Sequence, residues 1–235
     1  MKRFFMIFVC ALLLTCAVHA APAGCVALTF DDGPSGDNTE ALLQMLKDRD
    51  VRATFFLCGY RIDTYPELPE KLACAGHTLG VHGYSHTCFD TLTPQELKDE
   101  LDTTKDRILA LTGQTPMLLR PPCGAWDDNV REASRKAGLT VILWSVDPED
   151  WRCRDCREIA RRVCDSVQNG SVILMHDMYQ SSVDAAALLI DELRSRGYEF
   201  VTVPELAKLA GCELKPGDVF SQFSGAHPPE SEAFE

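Results

Sequence analysis

From residue 25 onward the chain alternates between two hydrophobic periods. Short runs rich in Val, Ile, Leu and Phe read as strands buried on both faces, and the segments between them carry apolar residues at helical spacing. The strand runs fall at residues 25–30, 51–57, 78–81, 117–119, 139–146, 172–175 and 198–203. Asn38 is expected to cap a helix over 39–48, in which Leu42, Leu43, Met45 and Leu46 form an apolar stripe. Thr93-Pro94-Gln95-Glu96 predicts the start of the longest helix, with an N-cap, a proline at the first helical position and a capping-box glutamate. Gly113 marks its end, and Gly76, Gly138, Gly170 and Gly197 stand where other helices should stop. Strands alternating with helices in this way predict a parallel α/β fold. An open doubly wound sheet and a closed barrel both fit the count. A dinucleotide fold would want GxGxxG after the first strand, and Asp31-Asp32-Gly33-Pro34 stands there instead.

The two ends depart from this pattern. Lys2 and Arg3 precede an almost wholly apolar run over 4–18, and Val18-His19-Ala20 offers small residues where a signal peptidase reads. Residues 1–20 are therefore expected to be a signal peptide, with an uncleaved N-terminal anchor as the alternative, and the product to be secreted or held at the cell surface. The run is short for a membrane span, so no stable span is expected after cleavage. Residues 213–235 are polar and acidic with several Pro and Gly, and are expected to be a mobile tail.

Composition narrows the class without naming a function. A 46% apolar and 25% charged chain of 235 residues suits one soluble domain, taken to be a monomer. The net charge of −12 argues against nucleic acid as a partner, and removal of Lys2 and Arg3 would deepen it. Of the 11 cysteines, Cys10 and Cys16 lie in the leader; an odd remainder leaves at least one thiol over. Cys153-Arg-Asp-Cys156 lacks the second CxxC of a zinc ribbon and the setting of a thioredoxin site, so a local disulfide or two free thiols is expected.

The polar residues that interrupt the apolar pattern gather at strand ends. Asp31 and Asp32 follow the first strand, His82 and His86 the third, and Arg120 the fourth. Asp147 and Asp150 follow the fifth, and His176 and Asp177 the sixth. All fall at carboxyl ends, the face on which barrels and open α/β sheets both build their sites, and a scatter of surface charge would not respect one face. His82 and His86 are four residues apart, close enough for a tight loop or one helical turn to bring both imidazoles together. Two His and one Asp would leave an open coordination position, as a catalytic ion requires. His77 reads as scaffold.

Five motifs in order carry a resemblance: Thr29-Phe-Asp-Asp-Gly33, His82-Gly-Tyr-Ser-His86, Arg120-Pro-Pro-Cys-Gly124, Asp147-Pro-Glu-Asp-Trp151 and Ile173-Leu-Met-His-Asp177. The chain resembles the polysaccharide deacetylase family (NodB homology domain, carbohydrate esterase family 4) over roughly residues 26–211. The resemblance implies a distorted (β/α) barrel of about seven strands, which decides for closure, and a domain over 21–212. It implies that Asp32, His82 and His86 hold a divalent metal ion, zinc first, with cobalt or another ion as alternatives. Asp31 would be the base, and His176 the acid that protonates the leaving amine. Arg120 would hold Asp31, and Asp150 would orient His176. The Cys123 backbone N–H would stabilise the oxyanion, and Trp151 and Leu174 would wall a pocket for the acetyl methyl.

Three positions depart from the family's pattern: Val81 where Asn is frequent, Gly83 where Ser or Thr is usual, and Cys123 where Tyr is usual. The first reading is thus a metal-dependent N-deacetylase of amino-sugar polymers, with peptidoglycan N-acetylglucosamine first and chitooligosaccharides next. An O-acetyl xylan esterase and a non-catalytic carbohydrate-binding relative are the alternatives. Asp31 and His176 argue against the last, since a binding protein needs neither.

Overall fold

The computed structural model describes residues 23–226; the expected signal peptide lies outside them. Eight strands form the sheet: β1 Gly24–Asp31, β2 Thr54–Leu57, β3 Thr78–Val81, β4 Leu118–Leu119, β5 Thr140–Ile142, β6 Val172–His176, β7 Tyr198–Phe200 and β8 Val219–Phe220. Their order is β6-β1-β2-β3-β4-β5-β8, with β7 pairing the first residues of β1, and every pairing is parallel. The chain leaving β5 then returns to β6, where Ser145 N–H donates to Val172 O (3.0 Å) and Leu174 N–H to Val146 O (2.9 Å). That contact bends the sheet into the distorted barrel, and it is why the run expected over 139–146 divides after Ile142.

Among the described residues eight helices surround the sheet: α1 Asp37–Asp48, α2 Gly59–Thr64, α3 Leu68–Cys74, α4 Pro94–Thr112, α5 Asp128–Ala137, α6 Cys156–Ser166, α7 Gln180–Ser195 and α8 Val203–Leu209. Helix α4 starts and stops as its sequence predicts, with the Thr93–Glu96 capping box and left-handed Gly113 both formed. Helix α1 does not: Gly36 is its N-cap, and Asn38 instead donates its side-chain amide to Met178 O at 2.8 Å. No helix among the described residues is long and apolar enough to cross a membrane.

The period of two along β1 assigns its residues to two layers. Val26, Leu28 and Phe30 pack in the larger apolar cluster with residues of α1, α4, α6 and α7, while Cys25 and Ala27 belong to a smaller cluster with Phe56, Leu118, Ile142 and Val172. Thr29 and Asp31 continue this second face, so the alternation that builds the core also places a carboxylate at its carboxyl end.

The expected tail is corrected over residues 213–226. Strand β8 pairs with β5, and Phe223 and Ala226 are buried with Val203, Leu206 and Ala207 of α8 against the second cluster. Averaged composition hides these spaced apolar positions, whereas apolar surface left open on that face offers them burial. Residues 227–235 lie outside the described part.

Candidate active site

Parallel strands in register bring their last residues side by side. Asp31 of β1 is the registered partner of His176 of β6, and Val81 of β3 that of Leu119 of β4, which sets His82 beside Arg120. Asp31, Asp32, His82, His86, Cys123, Trp151, Leu174 and His176 line one cleft of about 480 Å3, together with Trp144 and Asp147. Arg120 and Asp150 lie beneath it, fully buried. All ten residues to which the resemblance assigns a role are therefore gathered at one place.

Arg120 spends its donors on four acceptors: Ile142 O (3.0 Å), Leu143 O (2.9 Å), Thr29 Oγ1 (2.7 Å) and Asp31 Oδ1 (2.8 Å). Its guanidinium also lies 4.2 Å from the Phe56 ring centroid. Burial pulls its pKa down and the Asp31 charge opposes that pull. Asp31 is thereby fixed, with Oδ2 3.8 Å from His82 Nε2.

Asp32 Oδ1 stands 3.2 Å from His82 Nε2 and 3.0 Å from His86 Nε2. The three atoms lie within 4.8 Å of one another, yet Asp32 Oδ1 is buried without a hydrogen bond. His82 Nδ1 is 2.7 Å from Arg120 O; the proton it donates there leaves the Nε2 lone pair free. Three converging lone pairs, one of them on an orphaned buried oxygen, are a poor hydrogen-bond set and a good ligand set, so the residues fit a divalent ion. Burial works to raise the Asp32 pKa, but the two imidazoles hold it below the usual carboxylate range; Asp32 raises His86 in turn.

Across the cleft, His176 Nδ1 meets Asp150 Oδ1 at 2.7 Å. Asp150 Oδ2 accepts from His176 N–H (2.9 Å) and Ser182 Oγ (2.6 Å), so the carboxylate is saturated in the core. Burial pulls the imidazole's pKa down, yet the Asp150 bond and charge push it up to about 9. The ring thus holds its proton at neutral pH and presents Nε2 as a donor.

Cys123 is disulfide-bonded to Cys88, two residues beyond His86, with Cα atoms 6.0 Å apart. The bond ties the turn after β3 to the loop after β4, both of which line the cleft. Cys153 and Cys156 are free thiols. Closing a loop across 35 residues restrains the unfolded chain by roughly 3–4 kcal/mol. Replacing Cys88 and Cys123 by Ser should therefore lower Tm by roughly 10 °C in a thermal melt, and a reductant should do the same to the wild type alone.

Sequence reasoning missed Trp144, which reads as an ordinary strand aromatic, and Ser182, an unremarked position inside α7. It also missed Cys88, whose partner no spacing reveals. Trp151 is half exposed and forms a rim of the cleft. Asp177 is scaffold: buried and pushed up to about 6 by burial, it accepts from Ser35 and Thr39 and holds the loop after β1. His77 is scaffold too, accepting Ala53 N–H at 3.1 Å.

The family model described as polysaccharide deacetylase matches residues 19–142. A peptidoglycan-N-acetylmuramic acid deacetylase of Bacillus subtilis is 39% identical over 78% of this chain and 39% of its own. The solved structure of that deacetylase has a TM-score of 0.75, covering 79% of this chain and 91% of the solved one. A peptidoglycan-N-acetylglucosamine deacetylase of Bacillus cereus is 35% identical over 77% of this chain and 67% of its own. A pseudoenzyme of carbohydrate esterase family 4 from Bacillus anthracis is 30% identical with a TM-score of 0.75, over 79% of this chain and 66% of that one. The chain thus spans about two fifths of the first relative's length.

Proposed function

We propose, because the chain belongs to the polysaccharide deacetylase family, that it hydrolyses the acetamido groups of amino-sugar polymers, with peptidoglycan as the substrate. The family also holds a pseudoenzyme, so the proposal rests on the residues of the site. The observation that carries the proposal is the pair of proton-transfer groups flanking the ligand triad. Asp31 stands on one side held by Arg120, and His176 on the other held by Asp150.

Asp32, His82 and His86 would hold the ion, zinc first. Bound there, it would supply Lewis acidity to the amide carbonyl and to the water that attacks it. Asp31 takes a proton from that water as it adds to the amide carbon. The Cys123 N–H donates to the oxyanion that forms. His176 gives its Nε2 proton to the sugar nitrogen, the C–N bond breaks, and acetate and an amine leave. The acid must keep its proton until the C–N bond breaks, and the Asp150 carboxylate beneath His176 favours that state. Leu174 and the half-exposed Trp151 flank the space for the acetyl methyl. The apolar run over 4–18 supports an extracytoplasmic location, where such a polymer lies.

Acetate release tests the reading, measured with peptidoglycan, N-acetylglucosamine oligomers and acetylated xylan, with and without chelator. Release from peptidoglycan that stops with chelator and returns with zinc or cobalt is expected. No release from any substrate after divalent ions are supplied would sink it.

The His176–Asp150 pair makes a pH prediction. The acid works only protonated, and its pKa, raised to about 9, keeps it so until the pH climbs through that value. Asp150→Asn removes the anion, lowers the histidine pKa and brings the alkaline fall of kcat/KM to lower pH. A rate loss of roughly 100-fold at neutral pH should accompany the shift. A pH–rate profile of the two proteins side by side checks both.

A further inference from the structure

We propose that Glu100 is a positioning residue for the metal site, acting through the backbone of the turn that carries His82 and His86; this rests on the reading of the triad as ion ligands. Position 83 is the clue. Gly83 has φ of +75°, and a Cβ there would fall 2.9 Å from Glu100 Oε2 and 2.9 Å from the Phe89 ring. The space that a side chain at 83 would take is filled by a carboxylate arriving from the second turn of α4.

That carboxylate collects the free donors of the turn. Glu100 Oε2 accepts from Tyr84 N–H (2.5 Å) and Ser85 N–H (2.8 Å), and Oε1 from Ser85 Oγ (2.6 Å). The carbonyls of the same turn are held from the other side, Gly83 O by Gly59 N–H (2.9 Å) and Tyr84 O by Tyr60 N–H (3.0 Å). The next residue, His86, is itself left-handed at φ +63°, as is its fellow ligand Asp32 at +70°. Side chains rarely hold such conformations unless their surroundings impose them. With a glycine at 83 offering no side-chain bond of its own, the imposing group is Glu100. A residue fifteen positions beyond Ser85 thus does what a local hydroxyl could otherwise do.

Metal affinity is the readout. Zinc and cobalt(II) binding to the full chain would be measured by calorimetry, and the visible absorption of the cobalt form recorded. Glu100→Gln should weaken both ions by roughly 10- to 100-fold, the range for losing a group that orients ligands, and should alter the cobalt bands. Glu100→Asp separates position from charge, because it keeps the anion but falls a methylene short of the turn. The inference expects it to behave like Glu100→Gln. Ser85→Ala, which deletes the Oγ bond alone, should weaken binding several-fold and serves if the other variants do not fold. Wild-type affinity and spectrum in Glu100→Gln would overturn the inference, and so would wild-type behaviour of Glu100→Asp beside a weak Glu100→Gln. A wild type that binds neither ion would remove the metal reading itself, and is told apart because no variant is then involved.

Discussion

Asp31→Asn is expected to lower kcat by roughly 10²- to 10⁴-fold, the range for losing a positioned base, while the purified protein keeps its full complement of metal. The two halves of this result follow from different oxygens. The ligand set converges on Asp32 Oδ1 with the two Nε2 atoms, and Asp31 is not one of its three members. Asp31 Oδ2 stands 3.8 Å from His82 Nε2, beside the triad and outside it. Asparagine is nearly isosteric and retains an oxygen for Arg120, whose other bonds run to Thr29, Ile142 and Leu143, so the local fold should hold. Acetate-release kinetics and elemental analysis on the same preparation check the division. Metal lost in step with activity would show that the two aspartates share the ion and that their duties are wrongly assigned.

That separation of two adjacent aspartates marks how far the sequence could be read. Their position at a strand end was legible, because a period of two followed by Asp-Asp-Gly-Pro announces a strand and then a turn. Which oxygen joins the histidines depends on the left-handed φ of Asp32, and nothing in the local pattern fixes a backbone angle at a non-glycine residue. Strand-end polar residues likewise pointed to Arg120, Asp150 and His176, since each lies at or just beyond the end of an apolar run. The groups that hold them were hidden: Ser182 and Glu100 lie inside helices at positions that periodicity reads as ordinary. Residues 213–226 were misread because Val219, Phe220, Phe223 and Ala226 are too sparse to lift an acidic average, although each has a partner in the fold. Local chemistry and period are written in neighbouring residues, whereas support across the fold depends on which distant segments meet. Cys88 and Cys123 are the plainest case.

Arg120→Met should cost roughly 3–5 kcal/mol of stability, the range for breaking a buried ion pair by removing one partner. The methionine side chain can fill much of the volume, so the loss is electrical and not a cavity. It strands four acceptors in the core: the Asp31 carboxylate, the Ile142 and Leu143 carbonyls and the Thr29 hydroxyl oxygen, whose own proton already goes to Ile173 O at 2.7 Å. Lysine would keep the charge but not the planar fork that reaches three directions at once, so Arg120→Lys should recover only a minor part. Combining Arg120→Met with Asp31→Asn removes the stranded anion as well. The double variant should therefore be more stable than the sum of the single losses allows, by a coupling of roughly 1–3 kcal/mol. Urea denaturation of the wild type, the two single variants and the double variant measures that coupling. Additive losses would mean that Arg120 serves the carbonyls of the strand after β4 and not the base, and the role given to it in holding Asp31 would fall.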